Sequence, residues 1–142
     1  MAAERDPITC HVLDTTTGRP GASINVVLIP LSPSPSASQT SLLTATTNSD
    51  GRVTNWSNKS GDAGRVIRSL ISECARKEGD ASTTVCPVGS SLWKIEFDTG
   101  SYYGEGKCFF PKVELTFLVK GGEHFHVPLL LGPYSLTTYR GS

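Results

Sequence analysis

No apolar run in this 142-residue sequence approaches the roughly 18 residues that a membrane-crossing helix needs. Net charge is missing too. Thirteen Lys and Arg stand against 13 Asp and Glu, which leaves no electrostatic reason to expect nucleic acid or an anionic membrane surface as partner. The opening MAAERDPITC lacks the apolar stretch of a secretory signal, and the closing RGS is not an SKL-type peroxisomal address. A cytoplasmic location is therefore the expectation. Cysteine is sparse, at positions 10, 74, 86 and 108, with no C-x-x-C pair. Zinc ribbons and dithiol redox motifs want close pairs, so neither is indicated. In a reducing compartment the thiols are expected free, Cys74 and Cys86 included. Also absent are a G-x-S-x-G elbow and a phosphate-cradling glycine loop.

What is present is β-alternation. The length suits one domain, residues 1–142, around a single core. In ITCHVLD, Ile8, Cys10 and Val12 fall on one face, and Thr9, His11 and Leu13 on the other. SINVVLIPL (23–31) is a more continuous apolar strand, LLTATTN (42–48) follows, and the NSDG turn leads into RVTNW. SLWKIEFDTG points Trp93, Ile95 and Phe97 inward, and VELTFLV does the same with Val113, Leu115, Phe117 and Val119. In the last long strand Phe125, Val127, Leu129 and Leu131 share the core face. Short strands between Gly- and Pro-containing turns predict an all-β, two-sheet sandwich. Pro128 predicts an edge or a bulge for its strand.

Two segments stand outside that frame. PLSPSPSASQTS, centred on 32–41, is Ser/Pro-rich and reads as a mobile hairpin loop. Within 58–89, Val66, Ile67, Leu70, Ile71 and Cys74 follow helical spacing, with Asp62 as N-cap and Gly79 beyond the end. That predicts an amphipathic helix laid on the sandwich, a decoration before it is a lid or an oligomer contact.

Alternation also sorts the reactive residues. His124 and His126 lie two apart and face away from the core, as does His11 on its own strand. A neutral imidazole on an open face is a candidate general base. The H-x-H pair is a possible pair of metal ligands, but Cys10 has core parity and Glu123 the wrong parity to complete a shell. Arg52 follows a D-G turn, a rigid place from which to present a guanidinium, although a solvated arginine has the same sequence context. Tyr139 and Arg140 offer a ring and a planar fork of donors to a flat substrate rich in carbonyl oxygens. Ser142 suits polar positioning better than nucleophilic attack, because no base is assigned to it.

HVLDTTTGRPGASINVVL (11–28) resembles the opening of the transthyretin-related family. TNSDGR (47–52), WKIEFDTGSYY (93–103), FFPKVELTF (109–117) and HFHVPLLLGPYSLTTYRGS (124–142) continue the resemblance in order, outside the two insertions. The closing YRGS is similar to the tetrapeptide that separates the 5-hydroxyisourate hydrolases of this family from its hormone carrier. The resemblance implies a transthyretin-like sandwich of about eight strands in two four-stranded sheets, with a short helix near 100–107. It also implies a homotetramer, a dimer of dimers, with shallow active sites where outer sheet faces meet.

Carried over residue by residue, the resemblance implies His11, Arg52 and His126 as catalytic groups, and Tyr139, Arg140, Gly141 and Ser142 as substrate-binding. The implied reaction opens the cyclic amide of 5-hydroxyisourate, a purine-derived small molecule, to 2-oxo-4-hydroxy-4-carboxy-5-ureidoimidazoline. No metal or cofactor is implied. His11 and His126 remain alternatives for the base. Two other readings stay open: a non-catalytic transthyretin-type carrier of a small ligand, and a zinc hydrolase built on H-x-H.

Overall fold

The structure, a computed structural model, describes residues 5–32, 43–58, 61–79 and 86–141. The period-two stretches become strands of two sheets. β1 (Ile8–Asp14), β2 (Arg19–Pro20), β5 (Arg52–Val53), β8 (Phe125–Leu131) and β9 (Leu136–Thr138) form a five-stranded sheet. β3 (Asn25–Ser32), β4 (Leu43–Thr46), β6 (Ser90–Phe97) and β7 (Val113–Lys120) form a four-stranded one, ordered β4-β3-β6-β7 and antiparallel throughout. The first sheet exceeds the expected four strands because a two-residue piece, β2, pairs with the end of β1. β8 runs parallel to β1 along its whole length. β2 and β5 share β1's other edge, and β9 lies outside β8.

The expected inward faces of β1, β6 and β8 are buried in one core. Ile8, Cys10, Val12, Trp93, Ile95, Phe97 and Leu129 are fully enclosed, and each large aliphatic buried this way contributes about 1.5–3 kcal/mol. The two tryptophans bury their rings without stranding a donor: Trp93 Nε1 donates to Ser91 Oγ at 2.8 Å, and Trp56 Nε1 to the Ile8 carbonyl at 2.8 Å. On β7 the pattern weakens, with Val113 and Val119 buried but Leu115 and Phe117 only partly so. Among the described residues β7 ends its sheet, with a neighbouring strand on one side only.

The inserted helix forms as α1 (Ala63–Glu73), capped by Asp62, whose side chain accepts from Arg65 N at 3.1 Å. It is laid on the sandwich as expected, with Ile67, Leu70, Ile71 and Cys74 in the same core as the strands. The second helix, α2 (Thr99–Tyr103), is shorter than expected and stops before Gly104, whose φ of 103° leaves the helical region. All four cysteines are free. The Ser/Pro-rich loop expectation concerns residues that lie almost wholly outside the described ones.

Pro128 corrects an expectation. Its strand is interior to the sheet, between β1 and β9. The ring is accommodated because the ladder on β8's outer side lapses there. β9 pairs as far as Leu129 with Thr138, and pairing resumes only at His126 with Gly141. The missing N–H falls in that gap, where Thr138 Oγ1 donates to the Pro128 carbonyl at 2.8 Å.

Candidate active site

Directly opposed residues on neighbouring strands point to the same face. His11 lies opposite Arg52 on β5, and Thr9 opposite His126 on β8. With Ile8, Cys10, Val12 and Val127 turned into the core, the outer face of the sheet carries Thr9, His11, Arg52 and His126, and His124 just before β8. These groups come from three segments of the chain, around Thr9–His11, Arg52 and His124–His126.

The turn before β5 aims Arg52. Asn48 Oδ1 accepts from Asp50 N at 2.9 Å and from Arg52 N at 3.0 Å, and Gly51 N donates back to the Asn48 carbonyl at 2.8 Å. Gly51 takes φ 73°, and a Cβ there would come 2.4 Å from the Val12 carbonyl oxygen. Only glycine lets this turn press against β1.

The imidazoles form a row. Ring centroids of His11 and His126 are 6.3 Å apart, and those of His126 and His124 are 6.4 Å apart with planes inclined by 18°. Thr9 Oγ1 sits 2.7 Å from His126 Nδ1 and 3.1 Å from His124 Nε2. Those two nitrogens therefore meet at a hydroxyl rather than at a vacant coordination point. Among the described residues no group of three or more His, Cys, Asp or Glu has the arrangement of a metal site.

Burial and neighbouring cations hold the rings neutral. His126 is brought down to about 4, first by burial, then by Arg52 and the flanking His11, His124 and Arg5. His11 is lowered by burial and Arg52, with Asp50 opposing; His124 is lowered by burial and Arg5. The face thus combines uncharged bases with the exposed guanidinium of Arg52, a set able to deprotonate water and to stabilise charge on oxygen.

The tail touches His126 at Gly141. Gly141 N donates to the His126 carbonyl at 2.9 Å, and a Cβ on Gly141 would lie 2.7 Å from His126 Cδ2. Arg140, of opposite parity, leaves the histidines: its guanidinium lies 3.2 Å from Glu123 Oε1 and 4.6 Å from the centre of the Phe125 ring. Tyr139 is 58% exposed. Tyr139, Arg140 and His126 line a cleft of about 480 Å³ with Leu115, Phe117 and Phe125, along the edge where β7 faces the tail. Ser142 lies outside the described residues. Sequence reasoning placed Thr9 on this face without a role and considered His124 only as an off-core histidine and a possible metal ligand of the H-x-H pair; their parity with His11 and His126 was the available signal.

A transthyretin-like sandwich with a histidine- and arginine-bearing outer face defines the class. Residues 8–141 match the model of the HIUase/Transthyretin family, and the chain belongs to that family. Among its relatives, a 5-hydroxyisourate hydrolase of Mus musculus is 36% identical over all of both chains. A probable 5-hydroxyisourate hydrolase of Schizosaccharomyces pombe is 36% identical over 95% of this chain and 90% of its own. In fold, the chain is similar to a solved Klebsiella pneumoniae 5-hydroxyisourate hydrolase, with TM-score 0.60 and 23% identity over 95% of this chain and 98% of that one.

Proposed function

We propose that this chain hydrolyses 5-hydroxyisourate, opening its cyclic amide to 2-oxo-4-hydroxy-4-carboxy-5-ureidoimidazoline. The observation that carries the reading is the placement of Arg52 beside His11, with the neutral His126 ring 6.3 Å further on, all on one open face. The names and full-length similarity of the relatives supply the substrate. A histidine takes a proton from water as its oxygen attacks the amide carbonyl. The carbonyl π electrons move to oxygen, where Arg52 stabilises the charge. Collapse breaks the C–N bond, and the leaving nitrogen takes the proton back from the imidazolium. Protein side chains and water suffice for every step. Tyr139, Arg140, Gly141 and Ser142 complete the substrate cleft in this reading, Gly141 by seating against His126.

The working assembly is a homotetramer, a dimer of dimers. Among the described residues β7 and β9 end their sheets with unpaired edges, and the adjoining Leu118 and Tyr139 are 40% and 58% exposed. Edge pairing with second copies protects such strands and closes the cleft. Light scattering after gel filtration tests this; a monomer at assay concentration refutes it. The activity is tested by a urate-oxidase-coupled assay that follows decay of 5-hydroxyisourate with chelator present. Decay faster than the spontaneous rate is expected. An unchanged rate with folded tetramer would instead make the chain a small-ligand carrier.

A further inference from the structure

We infer that Thr9 is a positioning residue that fixes the tautomer of His126 and relays its Nδ1 proton to His124, a reading that rests on the hydrolytic function proposed above. A hydroxyl has one proton to donate and lone pairs to accept. Thr9 Oγ1 lies within hydrogen-bond distance of two ring nitrogens, His126 Nδ1 at 2.7 Å and His124 Nε2 at 3.1 Å. The hydroxyl can accept from both rings at once, but a relay needs one ring to donate to the oxygen while the oxygen donates to the other ring. Two neutral arrangements satisfy this. In the first, His126 Nδ1–H donates to Thr9 and Thr9 donates to His124 Nε2, which leaves a lone pair on His126 Nε2. In the second both bonds run the other way and His126 carries its proton on Nε2. The first is a base and the second an acid.

One catalytic cycle needs both forms in turn. His126 Nε2 takes a proton from the attacking water. Its Nδ1 proton passes to Thr9 as the Thr9 proton passes to His124 Nε2. His126 is then neutral with Nε2–H poised to donate, and the positive charge rests on His124. When Nε2 gives its proton to the leaving amide nitrogen, the two relay protons return and the base form is restored. Every proton is accounted for, and no oxidant or co-reactant is involved.

The fold gives reason for moving the charge. A cation on His126 would face Arg52, whereas Arg5 opposes a charge on either ring and Arg52 does not bear on His124. His124 is one ring further from Arg52, beside a cavity of about 510 Å³. That cavity is lined by both signs of charge: Asp6 and Glu123 as well as Arg5 and Arg68. Its far wall is α1, through Arg68 and Ile71, so the inserted helix shapes the surroundings of the relay's end. Thr9 is only 3% exposed and paired in register with His126, which holds the oxygen in place.

The test uses Thr9→Val, which keeps the shape and removes the hydroxyl, and Thr9→Ser, which restores it. Nitrogen-15 spectra of histidine-labelled wild type should show His126 protonated at Nδ1, and Thr9→Val should lose that preference. The valine variant should lose roughly 10- to 100-fold in kcat with KM nearly unchanged, and the serine variant should recover most of it. Wild-type kcat in Thr9→Val, serine as slow as valine, or resting His126 protonated at Nε2 would each overturn the relay. The wild-type spectrum decides the tautomer even if Thr9→Val does not fold. A wild type that leaves 5-hydroxyisourate decay unchanged sinks the hydrolytic reading itself, whereas an active wild type with an unaffected valine variant sinks the relay alone.

Discussion

Replacing Gly141 by alanine adds one methyl group where the tail crosses His126. The new Cβ would lie 2.7 Å from His126 Cδ2 and 3.0 Å from Pro128 Cγ. Carbon atoms rest at about 3.5–4.0 Å, so the ring or the tail has to give by close to 1 Å. Neither neighbour yields freely: Pro128 is a closed ring in an interior strand, and His126 is held at Nδ1 by Thr9 at 2.7 Å. Gly141 is not among the glycines with positive φ, so the effect is one of space and not of backbone strain. A misplacement near 1 Å costs a reacting group up to about 10²-fold, or roughly 2.7 kcal/mol of activation free energy. The expected outcome is a 10- to 100-fold fall in kcat/KM in the coupled assay, with Tm changed little. Gly121→Ala is the control, because its Cβ would meet nothing closer than Ile71 Cγ2 at 4.0 Å. Wild-type kcat/KM in Gly141→Ala would show that the tail does not seat on His126, and the account of the glycine would be wrong.

Other outcomes follow from the same geometry. Arg52→Ala should reduce kcat/KM by about 10²-fold or more while urea unfolding stays within about 0.5 kcal/mol, since the side chain is exposed; a large loss of stability would mean it holds the fold. His126 titrates at about 4 in the folded chain against 6.5 in the unfolded one. Between those values the unfolded state binds more protons, so stability falls as pH drops through this window. His126→Gln should flatten the fall in urea midpoint between pH 7 and pH 5, and an unaltered slope would deny the lowered pKa. The kcat/KM profile should likewise keep its plateau below pH 6.5, with loss only on approach to about 4. Asp62→Ala removes the cap of α1 and should cost about 1 kcal/mol, a Tm fall of roughly 2–5 °C; no change would show that core packing alone sets the helix start.

Period-two alternation is a property of the extended backbone. It therefore already divided Ile8, Cys10 and Val12 from Thr9 and His11, and put His124 and His126 on one side. The Asn48–Gly51 turn and the Asp62 cap were legible for the same reason, since each is completed within a few residues. What local geometry does not contain is which strands become neighbours. That β8 lies parallel to β1, with Thr9 beside His126 across 117 residues of chain, was decided by burying both inward faces in one core. The same long-range packing put Pro128 in an interior strand, drew α1 into the core, and turned Arg140 toward Glu123. The sequence determined which residues could face the site; only the tertiary pairing decided which of them touch, because contact between distant strands depends on the shape of the whole core.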